Sequence, residues 1–170
     1  MINNYEEIIK HITRLILTNQ QKMIREEDLK NIYDSSLGLD FNKIMSDVYG
    51  QLKKIGFELI KTEFLDQKFY VLISEGKDDN ITPSQYGTLA IILALSKEVD
   101  ENMKISDLKE TFSEVWNTDI DFLINNDYLR KIEDLGIMKV TPLAKATFFN
   151  ILPDLKLKNL IEVFEKKVDK

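Results

Sequence analysis

The 170-residue sequence contains no cysteine. That absence removes a disulfide framework, a cysteine-based zinc site, a RING finger and a thiol nucleophile together. No apolar run reaches the roughly 18 to 20 residues that a membrane-spanning helix needs. The longest, LAIILAL at 89–95, has the length of an interior helix segment. The N-terminus, MINNYEEIIKHI, is acidic and polar where a secretory signal is basic and then apolar. A cytoplasmic protein without membrane contact is therefore expected, nucleoid-associated in a prokaryote or nuclear in a eukaryote. Phosphate-binding glycine loops and metal-ligand spacings are missing too, so neither a cofactor nor a metal is expected. His11 is the only histidine. It falls opposite the Ile8/Ile12 stripe of its helix, one turn from Glu7, and reads as a solvated surface residue. The 29 acidic residues are scattered and offer no distinct general acid and base. An enzyme is not expected.

What the chain does have is 44% hydrophobic residues in periodic order, enough for a core. Tyr5, Ile8, Ile9, Ile12, Leu15 and Ile16 form one stripe of a first helix. MIREEDLKNIY at 23–33 gives a short second helix with Leu29 and Ile32 inward. LDFNKIMSDVYGQLKKIG at 39–56 gives a third, with Phe41, Ile44, Val48, Leu52 and Ile55 on one face and Gly56 as its left-handed stop. FELIKTEF and KFYVLISE are rich in β-branched and aromatic residues and read as a hairpin. The LDQ between them has no Gly or Asn for a tight primed turn, which predicts a longer loop.

GKDDNITP, at 76–83, is the one concentration of Gly, Asp, Asn and Pro, and reads as a linker. Thr82 and Pro83 then start a helix as N-cap and first residue. The same order repeats: SQYGTLAIILALSKEV, then ISDLKETFSEVW with Ser106 as cap, then DIDFLINNDYLRKIEDLG stopped by Gly136, then IMKV as a strand. TPLAKATFFNI reads as a turn and a helix beginning at Thr141 and Pro142. A last amphipathic helix places Leu157, Leu160, Ile161, Phe164 and Val168 along one stripe. The expected fold is mainly α with small β-hairpins, an α+β protein of two tandem winged-helix units at 1–75 and 83–170 joined by a linker at 76–82.

A winged helix raises DNA binding, with the third helix in the major groove. The net charge of −6 opposes it. Lys43, Lys53 and Lys54 on the third helix are offset by Asp40 and Asp47, so they are expected to make only weak DNA contacts. The hairpin is acidic, through Glu58, Glu63, Asp66 and Glu75. In the second unit Arg130 and Lys131 face Asp119, Asp121, Asp127, Glu133 and Asp134. Apolar surface is more suggestive. LIL at 15–17 is too wide for one small core, and YGTLAIILAL is apolar on nearly every side. The second hairpin strand has Phe69, Val71 and Ile73 on one face and Tyr70 and Leu72 on the other. A ribbon apolar on both sides is expected to be covered, between the two units, rather than free to touch DNA.

MIREEDLKNIY, FELIKTEFLDQKFYVLISE, YGTLAIILAL, NNDYLRKI and MKVTPLAKATF occur in that order between residues 23 and 148. The succession resembles the landmarks of the MAGE homology domain, with the hairpin and the apolar helix from Gly87 as the most specific. The resemblance implies a KITE-type tandem winged-helix protein, like the third non-SMC element of the SMC five-six complex. Such proteins hold a kleisin and a RING-bearing sister KITE protein, meet the SMC ATPase indirectly, and serve chromosome maintenance and DNA repair. The family's RING or sister contact falls on Leu15, Ile16 and Leu17, and the kleisin contact on Leu89, Ile92 and Leu93. A homodimer is compatible with the same reading. The chain departs from animal members in its compactness, trimmed second-unit loop and simplified second wing, a style suggestive of an archaeal-like member. Its acidic second unit argues against the DNA role of the family. The alternatives are a winged-helix transcription regulator and a tandem winged-helix adaptor of ESCRT type.

Overall fold

A computed structural model describes residues 4–33, 35–74, 80–160 and 162. Two compact units form, Met1–Asp78 and Asp79–Lys170. Residues 76–79 of the expected linker lie outside the described residues, as do Glu75 of the hairpin and Ile161, Phe164 and Val168 of the expected last helix.

In the first unit, α1 (Tyr5–Thr18) begins where the Asn4 side chain accepts a hydrogen bond from the Glu6 amide at 3.1 Å. Its Ile8, Ile9, Ile12 and Ile16 are buried, as the stripe predicts. α3 (Phe41–Lys54) starts from Asp40, which caps the Asn42 amide, and buries Ile44, Met45, Val48 and Leu52. Gly56 takes the left-handed conformation after the helix, at φ 83°. Ile55 departs from expectation. It is 58% exposed, because the helix stops before the turn that would carry it inward.

The segment from Met23 is not helical throughout. Met23–Arg25 is a strand, β1, before α2 (Glu26–Lys30). Its extended backbone finds partners on β3 (Gln67–Ser74), which also pairs with β2 (Phe57–Phe64), giving an antiparallel sheet in the order β1-β3-β2. Three residues are too few for a period-2 pattern to register in sequence. The hairpin turn differs as well. Phe64 pairs with Gln67, so only Leu65 and Asp66 remain in the turn, at φ 50° and 59°. The right-handed twist of a two-stranded ribbon selects this primed geometry even without Gly or Asn. Tyr70 and Leu72 belong to the same core as Ile8, Ile12, Ile44 and Leu52. That face of the ribbon is covered by the unit's own helices.

The second unit opens with α4 (Pro83–Glu98), fixed by a reciprocal capping box. The Gln85 amide donates to Thr82 Oγ1 at 3.2 Å, and the Thr82 amide donates to Gln85 Oε1 at 3.0 Å. β4 (Met103–Lys104), α5 (Ile105–Thr111), a π-turn at Trp116–Ile120 and α6 (Asp121–Asn125) follow. α5 starts one residue before Ser106, whose hydroxyl instead meets Asp107 Oδ1 at 3.0 Å. The third helix ends about ten residues earlier than its periodicity predicts. Asp127 turns left-handed at φ 61°, and Leu129–Ile132 is a strand, β5. Gly136, at φ 62°, closes the loop to β6 (Ile137–Val140) instead of a helix. The sheet order is β4-β6-β5, and α7 (Pro142–Thr147) begins at Thr141 and Pro142 as expected. α7 then stops at Thr147, with turns through Asp154 where a longer helix is predicted.

Each unit therefore runs helix, short strand, helix, helix and hairpin, with the short strand paired to the last strand of the hairpin. This α+β organisation is consistent with winged-helix domains.

Candidate docking surfaces

The end of α1 divides its three predicted contact residues. Ile16 is buried, Leu15 is half-buried against the core, and Leu17 is 39% exposed. α1 lies along α3, with the Tyr5 hydroxyl donating to Asp47 Oδ2 at 2.6 Å and the Thr13 hydroxyl to Gln51 Oε1 at 3.3 Å. The bond from Tyr5 to Asp47 pushes the phenol up to about 12. Leu17 and Ile55 each sit one turn beyond the Thr13–Gln51 contact on their own helices, and both are exposed. Arg14, Lys53 and Lys54 are exposed close by in sequence, giving this end a basic character. Lys43 is also exposed. Its ammonium lies 5.8 Å from the Tyr5 ring centre, and that of Lys53 lies 5.7 Å from Tyr49. His11 is exposed.

Beneath α2 sits a charged node that sequence reading missed. Glu26 is buried, and its two carboxylate oxygens take Lys30 Nζ at 2.6 Å and Lys61 Nζ at 2.5 Å. The Tyr70 hydroxyl donates to the same carboxylate at 3.3 Å. Burial pushes the Glu26 carboxyl up, but the hydrogen bonds from Lys30 and Lys61 outweigh it, and the group falls to about 2. Lys30 also lies 5.0 Å from the Phe41 ring centre and Lys61 5.5 Å from that of Tyr70. One carboxylate thus ties α2 to β2 and β3. Glu26 gives no signal in sequence because a glutamate at the start of a helix is ordinary there.

In the second unit, Leu89, Ile92 and Leu93 are buried at 0%, 0% and 2% exposure, so their side chains are core and not surface. α4 is apolar all round because it packs on the π-turn, β6, α6 and α7. A buried Asp119 from the π-turn fixes its start, accepting hydrogen bonds from Ser84 Oγ at 2.8 Å and Thr88 Oγ1 at 2.7 Å. Trp116 from the same turn lies 5.5 Å from Lys109 Nζ and 6.0 Å from Lys131 Nζ. Arg130 pairs with Asp127 at 2.8 Å.

At both of its ends α4 meets the stretch of chain that follows α7. Tyr86 stacks on Phe148, with ring centres 4.4 Å apart, near the start of the helix. At the other end Lys97 Nζ donates to the carbonyls of Leu152 and Pro153 at 2.8 and 3.2 Å, and the Leu157 amide donates to Glu98 Oε2 at 3.1 Å. Leu155 is buried, whereas Phe149 and Ile151 are half-exposed. Pro153, which cannot sit inside a helix, lies within this segment.

Among the described residues no group of three His, Asp or Glu side chains could hold a metal ion, and no helix is long and apolar enough to cross a membrane. No protein-family model and no curated protein matches the sequence. Among solved structures, a chain of the Nse1-Nse3-Nse4 complex is similar in fold, with a TM-score of 0.54 over 95% of this chain and 96% of that chain at 14% identity. A likeness at that identity speaks for the fold, and it is consistent with the MAGE resemblance read from the sequence.

Proposed function

We propose that this protein is a non-enzymatic subunit of an SMC-type chromosome complex, joining a kleisin to a sister winged-helix protein. The observation that carries the reading is the end-to-end likeness to a chain of the Nse1-Nse3-Nse4 complex, covering 95% of one chain and 96% of the other. Matching over both units, rather than one, favours a shared architecture over a chance likeness between single small domains. The ordered landmarks from MIREEDLKNIY to MKVTPLAKATF support it from the sequence side.

The first unit meets the sister protein at the end of α1 and α3, where Leu17 and Ile55 are exposed and Ile16 supports them from within. The second unit meets the kleisin along α4. Leu89, Ile92 and Leu93 shape that helix from the core side, so the contacts fall to its exposed and half-buried residues, such as Tyr86, Ile91 and Leu95. A few buried apolar anchors supply most of the affinity in such contacts. The test is co-purification with the kleisin and winged-helix proteins encoded beside an SMC ATPase in the same genome. Leu17→Asp is expected to abolish capture of the sister protein while retaining the kleisin. If the intact chain captures neither, the reading is wrong.

A further inference from the structure

Acidic residues outnumber basic ones in this chain, 29 to 23, yet none occurs at 8–25 or at 48–57. The first stretch runs from α1 through the turn after it to β1, and the second covers the later half of α3 and its stop. The Tyr5–Asp47 and Thr13–Gln51 bonds both advance along the two helices, so α1 and α3 run the same way and bring their last turns to one end of the unit. That end carries Leu17 and Ile55, 39% and 58% exposed, with Arg14, Lys53 and Lys54 exposed beside them. Elsewhere in the unit the chain's own carboxylates hold the cations, Arg25 on Asp28 and both Lys30 and Lys61 on Glu26. Among the described residues Arg14, Lys53 and Lys54 form no ion pair. Lys53 and Lys54 offset the negative end of α3, but Arg14 lies a full turn before the end of α1 and has no such task. It is instead the helix-surface neighbour of Leu17, three positions away.

We propose that this patch receives an acidic segment of a partner protein, with an aliphatic side chain set against Leu17 and Ile55 and carboxylates set against Arg14, Lys53 and Lys54. This deepens, and rests on, the reading of this end of the first unit as a contact surface. Two exposed aliphatic side chains gain by being covered, and three cations without internal partners select the sign of what covers them. A nucleic acid meets only the second demand. Its phosphate backbone offers Leu17 and Ile55 little apolar contact, and the net charge of −6 repels a long polyanion. A basic or neutral segment meets only the first.

The test is a selection that presumes no particular partner. Random peptides displayed on phage are panned on the full-length protein, after removal of those that bind Leu17→Asp/Ile55→Asp. The survivors are expected to carry Asp or Glu on either side of Leu, Ile or Phe. As synthetic peptides they should bind Arg14→Glu/Lys53→Glu/Lys54→Glu at least about tenfold more weakly than the native protein, with affinity falling as salt rises. Survivors without acidic enrichment, or none at all, overturn the proposal, as does binding that charge reversal leaves unchanged in proteins whose melts match. Should the charge-reversed protein not fold, Arg14→Gln/Lys53→Gln/Lys54→Gln replaces it, with a loss of at least about threefold expected. A labelled DNA duplex that binds through the same three cations and is indifferent to Leu17→Asp/Ile55→Asp makes the patch a nucleic-acid contact and also overturns the proposal. No sister protein enters these measurements. Failure here leaves the co-purification test of the proposed function standing, and success beside a failed co-purification keeps the patch while removing the partner assigned to it.

Discussion

Glu26→Gln is expected to destabilise the first unit by about 2 kcal/mol. The carboxylate is buried and accepts two lysine ammonium groups at 2.5 and 2.6 Å. Breaking a fully buried pair costs about 3–5 kcal/mol and a surface pair about 0–1. Lys30 and Lys61 are 50% and 43% exposed and regain water when released, which places the cost between those limits. In a unit of this size, about 2 kcal/mol lowers the melting temperature by roughly 8–16 °C. The pH dependence gives the sharper test. Glu26 has its folded value depressed to about 2 from an ordinary 4.5, so its contribution is complete above about 4.5 and fades as pH falls toward 2. Urea unfolding of both proteins, followed by far-ultraviolet dichroism from pH 7 to 2.5, should show the gap narrowing below pH 4.5. A gap under 0.5 kcal/mol at pH 7, or one constant with pH, refutes the node as a source of stability.

Leu65→Asn should stabilise the hairpin by about 0.5–1 kcal/mol, since an exposed leucine at φ 50° costs about 1–2 kcal/mol that asparagine largely avoids; the urea midpoint reads it. Asp119→Ala removes the acceptor of the Ser84 and Thr88 hydroxyls and should cost the second unit about 2–4 kcal/mol, followed by the emission of Trp116, the only tryptophan. Ile92→Asp, at a fully buried position, should unfold the second unit and lose any kleisin with it, whereas Leu17→Asp should leave the melt of either unit within about 0.5 kcal/mol. Lost binding in the first case therefore reports the core, and in the second the surface.

The sequence determined the elements whose signal is local. Periodic isoleucines set α1, Thr82, Pro83 and Gln85 set the start of α4, and Gly56 set the end of α3. The α+β class and the repeated order of elements followed from these. Only the tertiary structure decided what depends on partners distant in sequence. β1 is extended because β3 pairs with it, and β5 replaces the end of a predicted helix because β6 does the same. Likewise Glu26 matters through Lys61, 35 positions away, and Leu89, Ile92 and Leu93 are core because four other elements enclose α4. Apolarity in a sequence says that a residue must be covered. Whether the cover is the chain itself or another protein is decided by packing, and for Leu89, Ile92 and Leu93 of α4 it is the unit's own core.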